Sequence, residues 1–155
     1  MRFKSYCLII FALLFSSCAG MKNISVDEVG NPIIKSLAGR KAVVEIEIRI
    51  NNPTGNKLYL KKGEFDVFRN GYTFGKARLL NKTEIPKHSN DYHAVSFEII
   101  ITDTPAIMTG KVREILSGSE NDSLTFSGYI KGGTKLISRK FRLEEMKIGR
   151  QESRF

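Results

Sequence analysis

From Val44 to Ile50 every second residue is apolar, and Glu45, Glu47 and Arg49 fill the gaps. Only an extended chain, whose successive side chains point to opposite faces, gathers such a set on one side. The run predicts a half-buried β-strand that ends at Asn51-Asn52-Pro53, because proline has no N–H to give to a ladder. Val95, Phe97, Ile99 and Ile101 repeat the pattern against Ser96 and Glu98, with Ile100 interrupting the polar face.

Turn residues divide the remaining chain into short lengths. Asn70-Gly71 supplies the positive φ angles of a two-residue type I′ hairpin. It is expected to pair Val67 with Phe74 and Phe68 with Thr73, leaving Phe65, Val67 and Phe74 on the core face and Phe68 outside. Gly132-Gly133 is expected to join Leu124–Ile130 to Lys135–Leu143 in a second hairpin. Thr104-Pro105 has the form of a helix start, Met108, Val112 and Ile115 or Leu116 recur at helical spacing, and Gly118 suits a left-handed stop, so one short helix is predicted over about 105–117. About seven strands with a single helix and regular turns describe a mainly-β protein, a β-sandwich.

The beginning of the chain has a different character. Arg2 and Lys4 precede an apolar run from Tyr6 to Phe15, then Ser16, Ser17 and Cys18. The run falls short of the ~20 residues needed to cross roughly 30 Å of hydrocarbon, so it is read as a cleaved export signal. The residues at the cut resemble the lipobox of bacterial lipoproteins, in which a small residue precedes a cysteine that becomes diacylated and N-terminal. Cys18 is the candidate lipidation site, although Phe15 stands where leucine is common. The competing reading is an ordinary secretory signal that happens to contain a cysteine. The expected organisation is signal peptide 1–17, lipidated tether 18–23, β-sandwich 24–144 and C-terminal tail 145–155, frayed at its end.

Losing Cys7 with the signal and acylating Cys18 would leave no thiol, so packing alone must hold the fold. Losing Arg2 and Lys4 takes the formal charge from +9 to +7, which favours anionic partners. The predicted location is the cell envelope, lipid-anchored and facing the periplasm. Ala19 after the cysteine tilts the anchor toward the outer membrane. Partners expected there are the membrane itself and an envelope protein, glycan or anionic lipid, with no nucleic acid.

One ordered set of features is more specific than its parts. The strand Val43–Ile50 runs into Asn51-Asn52-Pro53-Thr54-Gly55, Leu58 and Leu60 follow, then the Asn70-Gly71 hairpin, Gly75-Lys76-Ala77 and Ile85-Pro86-Lys87-His88-Ser89. This order resembles the type 2 late embryogenesis abundant proteins, whose unit is also called the water stress and hypersensitive response domain. The resemblance covers residues 24 to 143 and implies an immunoglobulin-like or fibronectin III-like sandwich, a stress-protective association and no established catalytic residues. Asn52-Pro53, the recurrent pair of that family, is read as a strand terminator whose side chain bonds nearby backbone.

Candidate chemistry is sparse. His88, Asp91 and His93 are close in sequence, and Asp91 and His93 can share a strand face, but zinc needs three or four ligands; no metal and no cofactor is predicted. Neighbouring carboxylates such as Asp27-Glu28 and Glu144-Glu145 point to opposite faces of a strand and form no acid–base pair. No base stands identifiably beside any serine or threonine, so the chain is read as a non-catalytic binding or scaffold module, a hydrolase being the weakest alternative. A structural subunit whose apolar outer residues Phe68 and Ile100 are covered by a partner is the other alternative. Lys131, Lys135, Arg139, Lys140 and Arg142 form the densest basic stretch, of which Lys131, Lys135, Lys140 and Arg142 are the candidate contact to an anionic surface, each charge near such a surface contributing about 1 kcal/mol. Ile137, Phe141 and Leu143 are expected to face the core behind them.

Overall fold

The structure is a computed structural model and describes residues 23–118 and 123–147. Its spine is β3 (Lys41–Asn52) against β7 (Ser89–Ile101), antiparallel and unbroken from Lys41 opposite Ile100 to Asn52 opposite Ser89. Residues directly opposed in such a ladder share a face. Ala42, Val44, Ile46, Ile48 and Ile50 therefore meet Ile99, Phe97, Val95, His93 and Asp91 on the inner side, as the alternation predicts. Glu45 and Glu98 lie on the outer side, paired with Lys35 at 2.9 Å and Arg78 at 2.7 Å.

β1 (Ser25–Val29) and β2 (Ile33–Ala38) share the free edge of β3, each pairing one end of it. β4 (Leu58–Arg69) is divided in the same way, pairing β6 (Thr83–Ile85) at its start and β5 (Tyr72–Leu79) at its end. β8 (Leu124–Gly133) runs along the other side of β4, and β9 (Ser138–Lys147) completes the order β1-β3-β7-β5-β4-β8-β9. The mainly-β fold is thus one antiparallel sheet of nine strands, where about seven were expected. It curls until its two halves face one another. Phe65 of β4 meets Phe97 of β7 edge-on with ring centroids 6.0 Å apart, and Val44, Val67, Phe74, Ile99 and Leu124 share one core. The layering of a sandwich is reached here inside a single hydrogen-bonded sheet.

Three local expectations need correction. Asn70 and Gly71 do take positive φ (50° and 82°), but a bulge beyond the turn sets Val67 opposite Gly75, so Phe74 is the extra residue. Both Val67 and Phe74 remain buried, because the bulge rotates Phe74 back to the inner face. The helix is two helices, α1 (Thr104–Met108) and α2 (Val112–Leu116), separated at Gly110, whose φ is 70°. Asp103, not Thr104, caps α1, accepting the Ala106 N–H at 3.1 Å. The break turns Met108 out to 81 % exposure, while Ala106, Val112, Ile115 and Leu116 close the end of the core. β9 also continues to Lys147, three residues into the predicted tail. The signal, Cys18, the tether up to residue 22 and the tail beyond 147 lie outside the described residues.

Asn52 is the buried polar residue that closes the far end of the spine. Its Nδ2 donates to the carbonyl oxygens of Pro86 at 2.7 Å and Asn56 at 3.0 Å, and its Oδ1 accepts from the Thr54 hydroxyl at 2.7 Å and the Thr54 N–H at 3.2 Å. Ser89 Oγ also donates to Pro86 O at 2.8 Å, and the His88 N–H donates to Thr54 O at 3.1 Å. The Asn-Pro and Ile-Pro-Lys-His-Ser segments are therefore one interlocked corner.

Candidate functional site

The concave face of the sheet is not filled. Between the β1–β3 side and the β8–β9 side lies a cleft of about 360 Å³, bordered by Val44, Ile46, Ile48 and Ile50 of β3, Leu124, Phe126 and Ile130 of β8, and Phe141 and Leu143 of β9. Leu116 closes one end; Ile24, Leu58, Ile85, Gly132 and Gly133 border the other. The inner residues of β3 from Val44 to Ile50 alone span about 20 Å at ~3.3 Å per residue, so the space is elongated. Among the described residues no lysine, arginine, histidine, aspartate, glutamate or cysteine borders it.

The residues explain why it stays open. On the inner face of β4 and β8, Phe65 is opposite Gly128, Ile130 is opposite Gly63, and Leu60 is opposite Gly132. Three inward positions thus carry no side chain. At Gly128 none is tolerated, since a Cβ would stand 2.1 Å from Glu64 O and 2.7 Å from Phe65 Cα. Phe65 leans into this vacated space, toward Phe97. The sheet's last strand, β9, finds no partner among the described strands on its far side, so its inward Phe141 is left largely exposed.

The basic residues singled out in the sequence divide into two groups. Lys131 and Lys140 are directly opposed on the outer face of β8 and β9, and Lys62 of β4 is opposed to Lys131, giving three lysines in one row. In the next row Glu64, Tyr129 and Arg142 are opposed. Lys140 Nζ sits 3.7 Å over the Tyr129 ring, a cation–π contact. The Tyr129 hydroxyl donates to Glu64 Oε2 at 2.8 Å, and Lys62 Nζ lies 2.8 Å from Glu64 Oε1. The Lys62 hydrogen bond, then that of Tyr129, holds the Glu64 carboxyl below its usual range; the same Glu64 bond raises Lys62. Lys135 is apart, in the loop. The turn itself is also displaced: Gly132 and Gly133 are still paired in β8, and the loop is 134–137. Ile137, expected in the core, is on that loop and exposed, because the hairpin turns three residues later than the glycines suggest.

His88 lies in the interlocked corner with Nδ1 3.1 Å from Pro53 O. Asp91 and His93 do share the inner face of β7, opposite Ile50 and Ile48. Among the described residues no group of three or more His, Cys, Asp or Glu is placed to hold a metal ion. Ile100, on the outer face, is flanked in the ladder by Lys41 and Lys76, and Phe68 is half-buried, so these two do not make the apolar patch expected of them. The cleft was missed. Its one sequence signal is the glycine spacing of β8, where Leu124, Phe126, Gly128, Ile130 and Gly132 occupy alternate positions.

Fold and site together define a mainly-β protein with an elongated apolar cleft inside a curled antiparallel sheet. No protein-family model and no curated protein matches the chain. Among solved structures it is similar to a protein from Archaeoglobus fulgidus, with 7 % identity, a TM-score of 0.49 and coverage of 79 % of this chain and 98 % of that one. A structural-genomics target solved by X-ray crystallography is similar at 12 % identity and a TM-score of 0.47, covering 86 % and 92 %.

Proposed function

We propose that this chain is a non-catalytic envelope lipoprotein whose cleft binds a long apolar chain, such as the acyl chain of a lipid. The observation that carries the reading is the cleft's lining. A ~150 Å³ cavity of aliphatic and aromatic side chains is enough to bind benzene, and this one is more than twice that volume and elongated. With no Lys, Arg, His, Asp or Glu bordering it among the described residues, the cleft suits the apolar part of an amphiphile and leaves the head group at the mouth. The same chemistry argues against a reacting centre within it.

A fluorescent polyene fatty acid tests the assignment. Binding is expected in the micromolar range typical of preformed apolar pockets, about −8 kcal/mol, with displacement by unlabelled fatty acid. Ile130→Trp, which extends a half-buried side chain into the space, is expected to weaken binding at least tenfold while the chain stays folded. An unaltered signal in that variant would place the probe elsewhere.

The envelope assignment rests on the residues before Cys18 and on the resemblance to type 2 late embryogenesis abundant proteins, which adds a protective role under water stress. It requires acylation. The intact mass of the membrane-extracted chain is expected to begin at Cys18 with the added mass of acyl groups, and Cys18→Ser is expected to abolish that form. A second reading, a subunit of an envelope complex, is favoured by the exposed Val26, Val29 and Ile33 on the edge strands β1 and β2, where a partner strand could add.

A further inference from the structure

The loop between β8 and β9 holds the most exposed of the chain's described large apolar side chains, Leu136, at 94 %, with Ile137 beside it at 57 %. Its exposure is imposed by the loop's own bonding. Thr134 Oγ1 accepts the Ile137 N–H at 3.1 Å, and Lys61 Nζ donates to Thr134 O at 2.9 Å and to Ser138 Oγ at 2.6 Å. Gly133 has φ 151°, and a Cβ there would lie 2.3 Å from Ile137 O, so the closure of the loop needs glycine. The chain thus builds a defined tip and points leucine and isoleucine into water.

Along the hairpin itself the charge has one sign. From residue 123 to 143 there are five basic residues, Lys131, Lys135, Arg139, Lys140 and Arg142, and no acidic one. Lys131 and Lys140 stand opposite each other in the ladder; the Tyr129 ring and the Glu64 carboxylate offset part of that like-charge repulsion, and an anionic surface would offset the rest. Each is three residues from the loop, about 10 Å along the strand.

We propose that this hairpin tip docks the molecule on an anionic bilayer, with Leu136 and Ile137 in the acyl boundary and the lysines at the phosphates. The spacing fits, since apolar elements of this kind enter ~5–10 Å below the head groups. An apolar tip ringed by lysines matches a surface that is itself apolar beneath an anionic layer. An acidic protein would answer the charge alone. Docking does not depend on what the cleft holds, but it brings the cleft end at Gly132 and Gly133 within about 10 Å of the membrane.

The chain contains no tryptophan, so Leu136→Trp gives the full-length protein a single reporter at the tip. Met108→Trp is the control: it is also exposed, on α1 at the other end of the β4–β8 ladder, and whatever the N-terminus contributes is common to both. With vesicles of phosphatidylcholine and phosphatidylglycerol, the emission of L136W is expected to shift to the blue and to be quenched by brominated acyl chains, with M108W unchanged. Adding Lys131→Gln and Lys140→Gln to L136W is expected to lower its partitioning about 25-fold, about fivefold per charge. No shift, an equal shift in both reporters, or the same shift on pure phosphatidylcholine overturns the proposal. So does a shift produced by envelope protein and not by vesicles. Fatty-acid binding measured without vesicles reads the cleft separately.

Discussion

Asn52 shows how much one side chain can hold. It satisfies two carbonyls and two donors of Thr54 in a place without water access, and it joins segments 34 residues apart in sequence. Asn52→Ala removes the amide from both carbonyls, leaving Pro86 O to Ser89 Oγ and Asn56 O to Thr54 Oγ1, and strips Thr54 of its buried acceptor, so the expected loss is about 2–4 kcal/mol in urea unfolding, at about one to three for a buried group left unsatisfied. Asn52→Asp is more informative because it keeps the shape. At neutral pH the new carboxylate would face Pro86 O where an N–H had stood, so the loss should be at least as large as for alanine. Folding then favours the protonated carboxyl, raising its pKa, and stability should recover as pH falls toward that range. Equal stability of the asparagine and aspartate forms at neutral pH would contradict this account of the corner. That Asn-Pro ends a strand was legible, since proline's missing N–H and asparagine's short amide are local properties. That the amide reaches Pro86 was not, because the contact exists only after β3 and β7 have paired.

Among the elements, the edge strand β1 is held from a distance. Glu28 is opposite Arg49 in the β1–β3 ladder, and Arg49 is opposite Tyr92 in the β3–β7 ladder, so the three form a row across three strands. The Tyr92 hydroxyl donates to Glu28 Oε2, spanning β3, while the Arg49 guanidinium stands 5.8 Å from the ring centroid. The hydrogen bond to Glu28, with burial and the carboxylate's charge, raises the Tyr92 phenol above its ordinary value. A raised folded pKa means the tether contributes fully below the unfolded value of ~10 and is lost as pH rises through the folded one. In alkaline titration, the difference between the wild type and Tyr92→Phe should reveal a phenol ionising later than ordinary tyrosine, and Glu28→Ala should remove the delay. A difference curve with an ordinary midpoint would mean the tether does not persist in solution. The elements also show where pattern reading errs. Helical spacing from Val112 to Leu116 does face the core, yet Gly110 at φ 70° separates it from α1 and leaves Met108 outside.

At the scale of the whole molecule, the governing feature is a sheet that curls without closing. β1 and β2 form one border and β9 the other, and the cleft lies between them with apolar residues on both rims. A ligand that fills it should raise the melting temperature, by linkage, with the logarithm of its concentration above Kd, and this gain should shrink or vanish in the Ile130→Trp protein. The sequence by itself determined the long strands β3 and β7 with their inner faces, the Asn-Gly turn and the basic character of the last hairpin, because alternation, turn chemistry and charge are properties of neighbouring residues. Only the tertiary structure decided that a cleft exists. Its width depends on how far the sheet curls and on glycines of β4 and β8 lying opposite Ile130, Phe65 and Leu60, relations between residues 63 to 72 positions apart that no local pattern records. The same holds for the exposed tip, whose position was fixed by Lys61 reaching across from β4.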